Sequence, residues 1–155
     1  MTAKILLFIG FLLPWFSLFF AKPHTIRRFM PVTIFTCLLM TIVFQIAYTY
    51  DWWEIHEYIV PWGYMIDVSF AYGLFAVGTF WIFRFTCHRF QLYLLVNIIM
   101  DVFMCYAALP LLDVLGIASY QNITPWQYLL VIVGVSIIIY FYHKWQEKVF
   151  APSVN

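Results

Sequence analysis

Charge is what this chain has least of. Its 155 residues hold eight Lys and Arg and seven Asp and Glu, 10% in all, where a soluble domain carries about 25%. A net charge of +1 gives no basic surface for nucleic acid. Glycine is equally sparse at six residues, and no GxGxxG, GxxxxGK[ST], GxSxG or HExxH motif is present. The three cysteines, Cys37, Cys87 and Cys105, form no CxxC pair, so no disulfide framework is expected. Cys37 and Cys105 lie within apolar runs, where a thiol behaves as a small hydrophobe. What remains is 65% hydrophobic and 23% aromatic. That excludes a soluble globular domain and a disordered chain, and it points to an integral membrane protein.

A membrane helix needs about 20 mostly apolar residues to cross a hydrocarbon core of about 30 Å. Five stretches have that length, at about 3–21, 32–50, 64–83, 90–112 and 126–142. Pro14 and Pro110 fall inside two of them, which bundles tolerate when neighbouring groups take up the freed carbonyls. The expected fold is therefore all-α, a polytopic membrane bundle with five transmembrane helices, read as a single membrane domain over 1–155. The first span also resembles a signal peptide, but cleavage after Ala21 would place Phe19 where a small residue is required. An uncleaved helix is the better reading.

The charges then set orientation. Lys22, Arg27 and Arg28 occupy the first connection, Arg84 and Arg89 the third, and Lys144 and Lys148 the C-terminal tail, leaving only Lys4 on the other side. The second connection carries Asp51, Glu54 and Glu57, and the fourth carries Asp113, with no Lys or Arg in either. The positive-inside rule places the N-terminus outside and the C-terminus in the cytoplasm. An odd number of spans requires the same alternation.

Between the second and third spans, Asp51 to Trp62 (DWWEIHEYIVPW) is too polar to cross. As a helix it would set Trp52, Ile55, Ile59 and Trp62 on one face and Asp51, Glu54 and Glu57 on the other, the pattern of an interfacial amphipathic helix over about 51–62. The competing reading is an acidic lip or a metal site on Glu54, His56 and Glu57, which needs all three to converge. Asn122-Ile123-Thr124 is a glycosylation sequon, meaningful only in a secretory pathway. Thr124-Pro125-Trp126-Gln127 reads more simply as a helix cap with Pro at the first helical position.

Ionisable groups inside a bilayer are costly and mark either function or a buried contact. Asp101 falls near the middle of the fourth span and Asp67 in the outer third of the third. Asn97, Asp101 and Cys105 recur every four residues and share a helix face. On the third span, Asp67, Ala71, Leu74 and Gly78 share one face, with Ser69, Gly73 and Ala76 on the next. The turn 84–89 is short enough to force the third and fourth spans together. Counting back from it sets Asn97 and Asp101 opposite Ala76 and Tyr72, so Tyr72 is a candidate partner for Asp101. Gln45 lies at a depth similar to Asp67. Two readings follow. Asp67, Tyr72, Asn97, Asp101 and Gln45 line a polar cavity for a proton, cation or small solute, or they bind helices together by hydrogen bonds.

All four histidines sit at membrane edges, so paired intramembrane haem ligands are not expected, nor is any other cofactor or metal. His24, His88 and His143 share the cytoplasmic side. They read as part of a headgroup collar with Lys22, Arg27, Arg28, Arg84, Arg89 and Lys144, facing anionic lipid.

Several short stretches resemble a known group: Leu13-Pro14-Trp15-Phe16, Arg27-Arg28-x-x-Pro31, Asp51-Trp52-Trp53, Val77-Gly78-Thr79 with Trp81, and Thr124-Pro125-Trp126-Gln127. The group is the small, uncharacterised multi-spanning membrane proteins of Bacillus- and Clostridium-type bacteria. The resemblance implies a bacterial plasma-membrane location and no catalytic residues. The expected function is that of a structural or accessory membrane protein with no recognisable catalytic site, the bilayer as its surroundings, and a second copy or a larger membrane complex as its partner. The alternative is a small transporter or channel subunit using Asp101 and Asp67. A membrane enzyme ranks third, because no nucleophile and base are paired. The orientation is directly testable: a reporter active only outside the cell is expected to stay silent when fused to the C-terminus, and activity there overturns it.

Overall fold

The computed structural model describes residues 2–150, and the chain is mostly helical. Helix α1 (Thr2–Ser17) continues through a tight turn, Leu18–Phe20, into α2 (Pro23–Thr49). Helix α3 (Ala76–Thr86) is reached through a wide π-helical segment, Ser69–Phe75. Helix α4 (Phe90–Phe103) leaves through a second one, Met104–Ala108, into α5 (Leu109–Val114). Helix α6 (Pro125–Val149) closes the bundle. Strands β1 (Trp53–Ile55) and β2 (Ala118–Tyr120) pair antiparallel, Trp53 opposite Tyr120 and Ile55 opposite Ala118.

Four helical stretches are long and apolar enough to cross a membrane: Thr2–Phe20, Pro23–Thr49, Phe90–Val114 and Pro125–Val149. They cover the first, second, fourth and fifth expected spans and extend the second and fifth by several residues. The third begins later than expected, because residues 64–67 form a turn and the helix covers 68–86. The outward faces of these helices are apolar, with Phe16, Ile34, Leu95, Ile99, Ile138 and Phe141 all exposed. Such a surface suits hydrocarbon rather than water.

The expected amphipathic helix over 51–62 does not form. Asp51 turns the chain out of α2 in the left-handed region at φ 49°, and the next residues pair with a distant segment instead. Gln121 donates its amide to the Trp52 carbonyl at 2.9 Å, and Asn122 donates to that of Asp51 at 3.0 Å. Local periodicity cannot register a partner more than 60 positions away, whereas the β-branched and aromatic residues here suit a strand. The small sheet seals one end of the bundle, with Ile55 buried and the Trp53 ring 5.3 Å from Phe44 and 5.0 Å from Tyr128. Glu54 Oε1 lies 3.8 Å from His56 Nδ1, but Glu57 does not complete a ligand set with them. His56 shares a 3.0 Å hydrogen bond with Ser119, and among the described residues no three His, Cys, Asp or Glu converge on a metal position.

The π segment before α3 also alters its faces. A wider turn advances the phase of the helix, so Ser69, Ala71, Gly73, Ala76 and Val77 are buried while Leu74 points outward. Gly73 lies directly against α1: a Cβ there would stand 2.8 Å from the Gly10 carbonyl oxygen and 3.1 Å from the Phe11 Cα. Backbone cannot yield as a side chain does. Gly73→Ala is therefore expected to destabilise the bundle by about 1–3 kcal/mol. Gly134→Ala, with no atom within 4 Å of its Cβ, should be neutral or stabilising. Thermal unfolding in one detergent, monitored by circular dichroism, compares the two.

Candidate functional site

The buried face of α4 consists of Tyr93, Asn97 and Asp101, and Cys105 in the following π segment continues it. Residues four apart share a face, so the expected alignment of Asn97, Asp101 and Cys105 holds. Its partner differs from the expected one. The face packs on α6, where Ser136 is a polar residue among Ile132, Ile139 and Tyr140 on the buried side. Tyr93 donates its hydroxyl to the Ser136 carbonyl at 2.8 Å. Asn97 donates Nδ2 to the Tyr93 carbonyl at 2.8 Å and accepts from Ser136 Oγ at 3.3 Å. These three residues satisfy one another.

Asp101, one turn further along, is outside that circuit. It is 8% exposed, and its Oδ2 is sealed in the protein with no hydrogen-bond partner among the described residues. The Tyr72 hydroxyl, the expected partner, pairs with Thr41 Oγ1 at 2.8 Å instead. The reason is the phase advance through Ser69–Phe75, which turns Tyr72 toward α2. Gln45 is on the exposed side of α2 and joins no cluster.

Asp101, Asn97, Ser136, Thr36, Ser17 and Thr79 form the polar part of a cavity of about 520 Å³. Its walls are apolar, from Pro14 on α1, Met40 on α2, Gly78 on α3 and Ile132 and Val135 on α6. Four lining residues, Leu13, Leu74, Met100 and Phe103, are 67%, 46%, 54% and 62% exposed. The cavity therefore reaches the apolar outer surface between α1, α3 and α4. Ligand sites typically occupy about 300–1,000 Å³ with a few polar groups set in apolar walls, and this cavity has that form.

Asp67 has a different task. Its Oδ1 accepts the backbone amides of Ser69 at 2.8 Å and Phe70 at 3.1 Å, the contacts of a helix N-cap. It borders a separate small cavity, and Phe70, Phe75 and Met104 line both spaces and stand between the two acids. The sequence-based grouping of five polar residues thus reduces to Asn97 and Asp101, joined by Ser136, Thr36, Ser17 and Thr79. Ser136 was detectable as a hydroxyl interrupting the apolar run from Leu129 to Ile139.

The basic residues other than Lys4 gather at the opposite end from the sheet. Arg28 forms an ion pair with Glu147, and Lys144 reaches the same carboxylate at 3.2 Å. Arg84 stacks on Trp81 at 5.0 Å, while Lys22, Arg27 and Arg89 are exposed. His143 departs from the expected collar, being fully buried. It lies on the face of α6 that carries Ser136, Ile139 and Tyr140, and its ring packs 4.6 Å from Phe83 and 5.4 Å from Phe29. The cysteines are free, Cys87 and Cys105 buried and Cys37 half-buried.

No family model, curated protein or solved structure matches the chain. The capping role of Asp67 makes a specific prediction: Asp67→Ala should cost about 0.5–2 kcal/mol of stability, and Asp67→Asn, which retains an acceptor, clearly less. Denaturant unfolding of the two variants in mixed micelles measures the difference.

Proposed function

We propose that the chain is a five-span protein of the bacterial plasma membrane, N-terminus outside and C-terminus in the cytoplasm. It works without catalysis as an accessory protein or subunit of a membrane assembly, and the cavity at Asp101 is its binding element. The helix over 68–86 supplies the fifth crossing: 19 residues reach about 28 Å at helical rise, close to the thickness of the hydrocarbon core. Lys22, Arg27, Arg28, Arg84, Arg89 and Lys144 at one end suit the anionic cytoplasmic leaflet.

One observation carries the binding role. Tyr93, Asn97, Ser136 and Thr41 make their hydrogen bonds within the bundle. Five side chains have a sealed polar atom without a partner among the described residues, Ser69, Arg84, Asp101, His143 and Gln146, and of these only Asp101 lines the main cavity. An unmet buried acceptor costs about 1–3 kcal/mol, and its presence in a cavity fits a group reserved for a ligand. A transporter with Asp67 and Asp101 as successive stations has less support, because Asp67 is committed to two backbone amides and aromatic side chains intervene.

The reading makes stability the test. Asp101→Asn and Asp101→Leu are both expected to unfold at equal or higher temperature than the parent, by about 1–3 kcal/mol for the leucine. Marked destabilisation of both variants would make the carboxyl a structural contact and overturn the binding role.

A further inference from the structure

The cavity's chemistry also narrows what it binds. This step rests on the reading of the cavity as a binding element. We propose that it takes a lipophilic cation, a long-chain amphiphile whose protonated amine head pairs with Asp101 and whose tail lies along the apolar walls. Its route in is lateral, from the hydrocarbon.

Three features carry the assignment. The first is the missing complement at the polar end. Asn97 and Ser136 are bonded to each other and to Tyr93, which leaves the Asp101 carboxyl as the group without a partner. An ionised carboxyl only accepts hydrogen bonds, so the complement is a donor, and a charged donor matches it best. The second is that no Lys, Arg or His lines the cavity, so the chain's own described residues place no cation there. The third is the opening. Leu13, Leu74, Met100 and Phe103 border it, and all are exposed on the apolar surface.

These features weigh against the other candidates. Ca²⁺ or Mg²⁺ requires about six or more oxygen ligands and Zn²⁺ about four ligands from Cys, His or carboxylate, and one carboxyl with two satisfied neighbours provides neither. A small hydrated solute would gain nothing from walls of Leu, Met, Phe and Ile. A fatty acid would bring a second carboxyl to the first, and like charges at close range oppose binding. A neutral alcohol supplies a donor but no charge. An amine supplies both, and an alkylamine resembles lysine in staying protonated near pH 7.

The test uses the full chain in nanodiscs of zwitterionic lipid, with dodecylamine, dodecan-1-ol and dodecanoate as probes. Ligand-dependent shifts in thermal unfolding give the affinities. Dodecylamine is expected to bind about tenfold to a hundredfold more tightly than dodecanol, the ordinary increment for a charged hydrogen bond, and dodecanoate most weakly. Asp101→Asn should bring amine and alcohol to equal affinity. Gly78→Leu places a side chain where a Cβ meets nothing within 4 Å on the cavity wall, and it should weaken all three probes. An amine preference absent from the parent chain, or one that survives Asp101→Asn, overturns the cation assignment while leaving the cavity a binding element. Failure of every probe to bind the parent overturns the binding element itself.

Discussion

In hydrocarbon, a backbone N–H or C=O that finds no partner inside the protein finds none at all. Most of this structure follows from that constraint. It explains why 69–114 is helical almost throughout in spite of two wide turns, and why the wide turns come with dedicated partners. Trp15 donates its indole N–H to the Tyr72 carbonyl at 2.9 Å, in the middle of the first π segment. Tyr120 donates its hydroxyl to the Cys105 carbonyl at 3.1 Å, in the second. Between helices, Gln146 of α6 donates its side-chain amide to the Arg28 carbonyl of α2 at 3.1 Å. Helix starts are treated likewise. Asp67 caps the helix before α3, and Gln127 Oε1 takes the Thr124 amide at 3.0 Å at the start of α6.

The ends of the bundle are closed by the same kind of pairing. At one, the short sheet gives the backbone of 51–55 and 118–122 mutual partners where two helices would have had to stop with exposed termini. At the other, cations surround Glu147, and the aromatic layer beneath them absorbs His143 as a flat ring among Phe29 and Phe83. The histidine contributes area and shape there. Its Nε2 stands 3.4 Å from Glu147, whose Oε1 already accepts from Arg28 Nε at 2.9 Å.

Hydropathy made the long helices legible, because a bilayer demands length and apolarity and the chain supplies both in α1, α2, α4 and α6. The period of four that aligned Asn97, Asp101 and Cys105 was legible for a similar reason: α4 up to Phe103 is regular. Where the backbone departs from 3.6 residues per turn, the pattern misleads. Tyr72 and Leu74 took unexpected faces within one π segment, and no residue type announces such a turn. The strand at Trp53–Ile55 was hidden for another reason. Its amphipathic spacing fits a helix, and only its pairing with Ala118–Tyr120 decides against one. His143 looked like an edge residue because it follows the apolar run, yet its position seven after Ser136 puts it on the buried face of α6.

Against this largely satisfied backbone, Asp101 is the departure that faces the main cavity. The four-residue step from Asn97 to Asp101 keeps the chemical setting nearly constant, with the same helix, the same face and the same neighbour α6. Asn97 is answered from both sides, by Tyr93 and Ser136. Asp101 stands where α6 offers Ile132, and no side chain answers it. Substituting leucine would pack that position with ordinary hydrophobic residues, and a chain that is 65% hydrophobic has no difficulty placing them. Departures from a structure's general rule concentrate at functional sites, and among the side chains here with a sealed, unpartnered polar atom Asp101 is the one that lines the main cavity. The stability forgone at Asp101 is of the same order as the affinity a complementary head group would gain there, which is the balance expected of a site built for its ligand.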